Sequence, residues 1–200
     1  NFKVVEIDHE SVEYLEQHYP KLQGNILSQD FLRLDLDSLY TESLTIIGNF
    51  PYNISSQILF KVLDYKGLVN ELVGMFQKEV AERVAAAPGK KQYGILSVLL
   101  QAFYDIEYLF TVDEQQFFPP PQVKSAVIRL IRNPEKELHC SESLFKQVVK
   151  TAFNQRRKTL RNSLNQFNFY ANYKQNPIFA KRPEQLSVQE FEEICVNIIL

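Results

Sequence analysis

The stretch LTIIGNFPY (residues 44–52) joins an apolar run to a turn that combines an amide, a proline and two aromatic rings. The apolar run at 44–47 predicts a strand over residues 44–48. Pro51 stiffens the turn that follows. The turn therefore places a fixed hydrogen-bond acceptor, the Asn49 amide, beside the flat ring of Tyr52.

Strands and helices alternate on both sides of this stretch. Hydrophobic patterning predicts further strands over residues 2–7, 25–28, 69–76, 106–112 and 125–131. It predicts helices near residues 12–19 and over 55–63, 78–87 and 93–103, with Ser55 or Ser56 as an N-cap. Alternation of this kind, closed by an antiparallel pair, is typical of an α/β domain with a mostly parallel sheet.

The pattern changes after Pro134. Apolar residues recur at helical spacing between Phe145 and Phe153, and Ser187 with Glu190 forms a capping-box signature before another apolar helix. We therefore predict two domains, an α/β domain over residues 1–138 and a small all-α domain over 139–200.

Charge is divided unevenly along the chain. Residues 141–200 carry nine Lys and Arg against five Asp and Glu, whereas the first 140 carry 13 against 19. This asymmetry indicates that the C-terminal segment meets a polyanion. No apolar run is long enough to span a bilayer, and two widely spaced cysteines favour a reduced, cytoplasmic setting without a disulfide.

Polar side chains follow three successive predicted strands. Glu6, Asp30 and Asn49 stand at the carboxyl ends, where ligands bind in open α/β sheets. The alternative is that these residues cap helices and turns.

The Asn-Phe-Pro-Tyr turn suits chemistry on a nucleobase amine, which is a poor nucleophile because its lone pair is delocalised into the ring. Acceptors on both N–H groups favour a pyramidal nitrogen, and the Asn49 side chain and the Pro51 carbonyl can supply them. Tyr52 would stack on the base. Such a reaction relies on positioning and electrostatics rather than on a strong base.

These residues resemble the N-[LIF]-P-Y motif of the rRNA adenine N6-dimethyltransferases, which use S-adenosylmethionine. Four blocks agree in order over residues 4–165: GNFPYNISSQILFKVL, MFQKEVAERVAAAPGKKQYGILSVLLQ, FFPPPQVKSAVIRL and FNQRRKTLRNSL. The resemblance implies a Rossmann-like class I methyltransferase sheet. It also implies dimethylation of two adjacent adenosines in the 3′-terminal hairpin of 16S rRNA, within the small (30S) subunit, with a role in ribosome biogenesis.

The resemblance also implies roles for single residues. Glu6 would accept from the ribose hydroxyls of the methyl donor and Asp30 from its adenine amine. Asn49 would contact both donor and target, with Pro51 and Tyr52 beside it, and Phe117 would form a second aromatic wall. No metal is implied, and neither is a membrane. For Phe117 the alternative is core packing.

One family element is absent from the sequence. The glycine-rich G-x-G-x-G loop, expected after a first strand, does not occur. We expect it to precede Asn1, and without it we expect weak or absent donor binding.

A basic segment carries the predicted rRNA contacts. Arg156, Arg157, Lys158 and Arg161 are predicted on one helix, and Lys90 and Lys91 in an exposed loop could join the same surface. The alternative is a solvated helix face.

Two other functions stay open at this stage. A resistance-type methylase acting on 23S rRNA shares the fold and the motif, and a catalytically idle rRNA-binding assembly factor would also use this surface. The resemblance further implies a monomer.

Overall fold

The structure is a computed structural model and describes residues 2–199. The chain divides into two compact units, of which the first ends at Ser43 and the second begins at Leu44. The α/β class predicted from the sequence is confirmed in the alternation of strands and helices. The prediction of a mostly parallel sheet is wrong, because among residues 2–199 two strand pairs are parallel and two are antiparallel.

The first unit contains two short parallel strands and two helices. Their bounds are β1 Val4–Glu6, α1 His9–His18, β2 Ile26–Ser28 and α2 Leu36–Leu39. In register, Val4 lies opposite Ile26 and Glu6 opposite Ser28, so both strands end at the same edge. The Asp8 carboxylate accepts the Ser11 N–H at 2.9 Å and thereby begins α1.

The second unit is built on a four-stranded mixed sheet in the order β3-β4-β6-β5. β3 and β4 are parallel, whereas β6 pairs antiparallel with both β4 and β5. Its elements up to residue 132 are β3 Leu44–Asn49, α3 Ser55–Asp64, β4 Val69–Gln77, α4 Lys78–Ala85, α5 Ile95–Gln101, β5 Tyr104–Val112 and β6 Ser125–Arg132.

Burial of the middle strands produces the core of this unit. Leu72, Phe76, Ile128 and Leu130 on β4 and β6 are fully buried, because these strands have neighbours on both sides. Apolar faces of α3 and α5 are also buried in this unit. Gly48 and Gly74 are cross-strand partners in the β3–β4 pair, which leaves a bare patch on the sheet.

The chain after β6 is helical, as predicted. Its α-helices are α6 Glu142–Asn154, α7 Leu160–Ser163 and α8 Val188–Val196. The Ser187 and Glu190 capping box is confirmed, with the Ser187 N–H donating to Glu190 Oε2 at 2.9 Å and the Glu190 N–H donating to Ser187 Oγ at 3.2 Å. α6 packs against both α5 and α8. The boundary at 138 falls within the second unit, and the two-domain division stays a prediction.

Two local predictions need correction. Ser55 is the first residue of α3 rather than its N-cap, because Ile54 occupies the cap. α6 ends at Asn154, where Gln155 leaves helical geometry (φ −119°, ψ 40°). Arg156, Arg157 and Lys158 therefore lie in a turn between helices, not on a continuous basic helix.

Within residues 2–199, no helix has both the length and the apolar character needed to cross a membrane. Cys140 and Cys195 are free thiols. Burial raises the pKa of both thiols, and this opposes formation of the reactive thiolate.

Candidate functional site

Glu6 is the last residue of β1 and its carboxylate is held by the turn that follows. One oxygen, Oε1, accepts the backbone N–H groups of Ile7 at 2.8 Å and Asp8 at 2.9 Å. The other oxygen has no hydrogen-bond partner in the described part of the chain. The turn fixes the direction of the carboxylate and leaves one oxygen ready to accept from a ligand.

Asp30 lies two residues beyond the end of β2, at the same edge as Glu6. Its Oδ1 accepts the Leu32 N–H at 2.9 Å, and Oδ2 lies 3.6 Å from the exposed Arg33 Nε. The side chain retains 31% exposure. Both carboxylates that are predicted to bind the methyl donor therefore also stabilise their own turns. Turn formation and ligand binding are compatible for these two side chains.

Asn49 ends β3 as predicted, and its side chain is exposed. The amide makes no hydrogen bond to any residue among 2–199. An exposed amide without a partner at the carboxyl end of a strand has a free acceptor and two free donors.

Phe50 anchors the turn that follows Asn49. Its ring stacks on Phe76 with centroids 5.1 Å apart, and its N–H donates to the Met75 carbonyl at 3.3 Å. A Cβ atom added to Gly48 or Gly74 would lie 2.8 or 2.6 Å from the Phe50 ring. The two glycines therefore create the space into which this ring packs.

The carbonyl of Pro51 is engaged only weakly. It accepts the Ile54 N–H at 3.3 Å and lies 3.5 Å from Ser55 Oγ, which bonds more closely to the Tyr52 carbonyl at 3.0 Å. A carbonyl oxygen has two lone pairs, so these long contacts leave acceptor capacity.

Tyr52 is half-buried, and its hydroxyl forms a hydrogen bond with Ser125 Oγ at the start of β6. Sequence reasoning missed Ser125. The serine lies 73 residues away along the chain, and its only signal was its place at the start of the SAVIRL strand, four positions after Pro121.

The loop between β5 and β6 carries two phenylalanines with different surroundings. Phe117 is partly buried at the end of a 3₁₀ turn, whereas Phe118 is fully exposed. At the base of the loop, Lys124 Nζ lies 2.8 Å from Asp113 Oδ2. This hydrogen-bonded contact lowers the pKa of the Asp113 carboxyl. The role of Phe117 as a second aromatic wall of the target-base site stays a prediction.

Arg156 and Lys91, both predicted to contact RNA, are brought together. Arg156 Nη2 donates to the Lys91 carbonyl at 2.7 Å, and its Nε lies 3.7 Å from Glu184 Oε2. Arg156 thus joins three segments of the second unit as well as carrying charge.

These two residues line a cleft of about 790 Å³ together with Lys150, which sequence analysis did not single out. Lys150 Nζ lies 5.8 Å from the centre of the Phe60 ring. The acidic residues of the cleft are paired on α4, since Glu79 lies 2.8 Å from Arg83 and Glu82 lies 3.7 Å from Lys78. Lys91 and Lys150 are therefore the charged side chains of the cleft that can attract an anion.

The remaining predicted RNA contacts are exposed. Arg157 and Lys158 in the turn and Arg161 on α7 form no ion pair among residues 2–199, and Lys90 is exposed beside Lys91. Among the same residues, no cluster of three or more His, Cys, Asp or Glu side chains is arranged to hold a metal ion.

Carboxylates at the carboxyl ends of parallel strands, as in the first unit, are typical of a nucleotide-binding α/β protein. The model of the family "Ribosomal RNA adenine dimethylase" matches residues 1–194. The chain belongs to this family, as the motif predicted.

Two curated relatives illustrate the match. The ribosomal RNA small subunit methyltransferase A of Parabacteroides distasonis is 62% identical over 198 residues, covering 96% of this chain and 73% of the relative. The protein of the same name from Cytophaga hutchinsonii is 60% identical over 192 residues, covering 96% and 74%.

Solved structures agree on the fold. A dimethyladenosine transferase from Plasmodium falciparum has a TM-score of 0.77 at 22% identity, covering 98% of this chain and 83% of that one. The 23S rRNA methyltransferase ErmE has a TM-score of 0.68 at 22% identity, covering 96% and 81%. At this identity the likeness concerns the fold alone, and it confirms the predicted Rossmann-like fold.

Proposed function

We propose that this protein transfers methyl groups from S-adenosylmethionine to the N6 amines of two adjacent adenosines in the 3′-terminal hairpin of 16S rRNA. The observation that carries the proposal is the exposed Asn49 amide at the end of β3, which makes no hydrogen bond within residues 2–199 and lies beside a turn that the Phe50 ring anchors. The names of relatives that are 55–62% identical support the small-subunit substrate.

S-adenosylmethionine supplies a methyl group on a positively charged sulfur, which a weak nucleophile can attack once its lone pair is free. Asn49 Oδ1 and the Pro51 carbonyl would accept the two amine hydrogens and favour a pyramidal nitrogen. Tyr52 would stack on the adenine and hold its plane. No described side chain is needed as a strong base, because the amine proton is acidic after transfer and leaves to solvent.

The donor's ribose and adenine would be held by carboxylates of the first unit. Glu6 offers a carboxylate oxygen to the ribose hydroxyls, and Asp30 offers acceptor capacity to the adenine amine. These two side chains suit the donor because the turns after β1 and β2 fix the direction in which each carboxylate points. Phe117 would form the second aromatic wall of the target site.

The rRNA would be bound by the cationic residues of the second unit. The turn carrying Arg157 and Lys158, the α7 residue Arg161 and the cleft residues Lys91 and Lys150 are exposed or line an open cleft. Arg156 and Lys90 lie beside them. This distribution supports a phosphate-binding role for the helical segment 139–200, which we propose as the rRNA-binding domain.

The partner would be the small subunit itself, bound by a monomer in the cytoplasm, where ribosomes assemble. A 23S rRNA substrate is disfavoured because the relatives at high identity carry small-subunit names, whereas ErmE is 22% identical. An idle assembly factor is disfavoured by the intact Asn-Phe-Pro-Tyr turn.

Mass spectrometry of rRNA separates these functions. The protein, expressed from its complete gene, is incubated with S-adenosylmethionine and either immature small subunits or immature large subunits. We expect N6,N6-dimethyladenosine at two adjacent positions in 16S rRNA only. Methylation of 23S rRNA alone, or tight subunit binding without any methylation, would overturn the proposal.

A further inference from the structure

The Tyr52 hydroxyl is held by a buried serine from another part of the sheet. Ser125 has no exposed surface, and its Oγ hydrogen-bonds the Tyr52 hydroxyl. Neither hydroxyl is required for stacking, since a phenylalanine ring stacks equally well. The hydrogen bond therefore determines the position of the Tyr52 ring and not its ability to stack.

Ser125 is a rigid anchor. It begins β6, where its backbone pairs with Gln77 at the end of β4 and with Val112 at the end of β5. The preceding carbonyl, that of Lys124, accepts the Lys78 N–H at 2.9 Å. Strands on both sides thus fix the serine in the sheet.

The Tyr52 backbone is held by a local turn rather than by neighbouring strands, since its carbonyl accepts from the Ser55 N–H and from Ser55 Oγ at 3.0 Å. Tyr52 begins a 3₁₀ turn outside the sheet, so its ring direction depends on side-chain torsions. The phenolic oxygen lies on the axis about which the ring rotates, so a hydrogen bond there fixes the far end of the ring. Without this bond the ring could swing about χ1, away from the Asn49 and Pro51 acceptors.

We propose that Ser125 is a positioning residue for the target adenine, acting through the Tyr52 ring. This inference rests on the proposed function, because it assumes that adenine stacks on Tyr52. Ser125 would align the stacked base so that its amine meets both acceptors of the turn. The same alignment is required twice, since the second transfer acts on an amine that already carries a methyl group.

The test compares Ser125→Ala, Tyr52→Phe and the double variant with the parent protein on immature small subunits. We expect each single variant to lower kcat/KM for the subunit about 10-fold or more, as is usual when a positioning contact is lost. The double variant should be no worse than either single variant, because both remove the same bond. S-adenosylmethionine affinity should not change, and N6-monomethyladenosine should accumulate.

Ser97→Ala is the matched control, since Ser97 is also fully buried and its hydroxyl donates to the Arg83 carbonyl at 2.5 Å. It should lower stability without raising the ratio of monomethyl to dimethyl product. The inference is overturned if Ser125→Ala folds and keeps the parent kcat/KM and product ratio, or if the losses of the two single variants add. It is equally overturned if Ser97→Ala shifts the product ratio as much as Ser125→Ala. If the parent protein itself leaves 16S rRNA unmethylated, the proposed function fails instead.

Discussion

The guanidinium of Arg156 donates to the carbonyl of Lys91 at 2.7 Å, and this bond joins the turn after α6 to the loop before α5. Its neighbour Arg157 is exposed and forms no ion pair within residues 2–199. Two adjacent arginines therefore have different physical roles. Arg156→Ala should lower the free energy of unfolding by about 1.5–3 kcal/mol, the range for hydrogen bonds to charged groups. Arg157→Ala should change it by less than about 0.5 kcal/mol. Urea denaturation checks both values.

Charge reversal at Arg157 and Arg161 tests the RNA surface without disturbing the Arg156 contacts. We expect weaker binding to the small subunit and a shallower dependence of affinity on salt, because fewer counterions are released. Affinity for S-adenosylmethionine should stay the same. An unchanged salt slope would mean that these side chains are only solvated.

Glu6 is expected to bind the donor in addition to holding its own turn. Glu6→Ala should weaken S-adenosylmethionine binding by about 1.5–3 kcal/mol in calorimetry on the protein from its complete gene. Glu6→Gln retains an oxygen for the Ile7 and Asp8 N–H groups, so it should restore thermal stability without restoring full affinity. Complete recovery of affinity in Glu6→Gln would leave the residue with a turn-forming role alone.

Asn49 is expected to act mainly in the transition state, because its acceptor contact strengthens as the amine becomes pyramidal. Asn49→Ala should lower kcat by a factor of about 10² or more, the scale of losing one preorganised polar group. Tyr52→Ala should raise KM as well, since stacking operates in ground and transition states alike. Asn53→Ala, at an exposed amide in the same turn, is the control. A near-normal kcat of the Asn49→Ala variant would mean that the Asn-Phe-Pro-Tyr segment is only a tight turn.

Gly74 is expected to be irreplaceable because the Phe50 ring occupies the space beside it. An alanine Cβ would lie 2.6 Å from Phe50 and 2.7 Å from Phe76, so Gly74→Ala should cost about 1–3 kcal/mol of stability by overpacking. It should also lower kcat by displacing the turn. Gly67→Ala meets nothing within 4 Å and should be neutral or slightly stabilising. Equal stability of the two variants in urea would contradict this packing role.

Two buried tyrosines differ in what their hydroxyls contact. The Tyr104 hydroxyl donates to the Val69 carbonyl at 2.9 Å, whereas the Tyr93 hydroxyl has no hydrogen-bond partner among the described residues. Tyr104→Phe should therefore cost about 1–3 kcal/mol, and Tyr93→Phe should cost nothing or stabilise the fold. Denaturant midpoints decide between them. A comparable loss in both variants would show that Tyr93 has a partner such as a buried water.

Much of the site is local in the chain and was readable from the sequence. The strand ending at Asn49, the Pro51 turn and the Ser187 capping box each depend on residues within a few positions of one another. Such features follow from intrinsic backbone preferences, which a short stretch carries wherever it is placed. The family motif likewise occupies four consecutive residues.

The contacts that only the tertiary structure decided join distant parts of the chain. Ser125 meets Tyr52 because the register of β6 against β4 and β5 places the start of one strand beside a turn 73 residues earlier. The basic segment is bent at Gln155 rather than helical, and the buried Leu160 beyond the bend donates its N–H to the Lys181 carbonyl at 2.9 Å. Local pattern cannot supply such contacts, because strand register and helix packing are determined by how the whole core is filled.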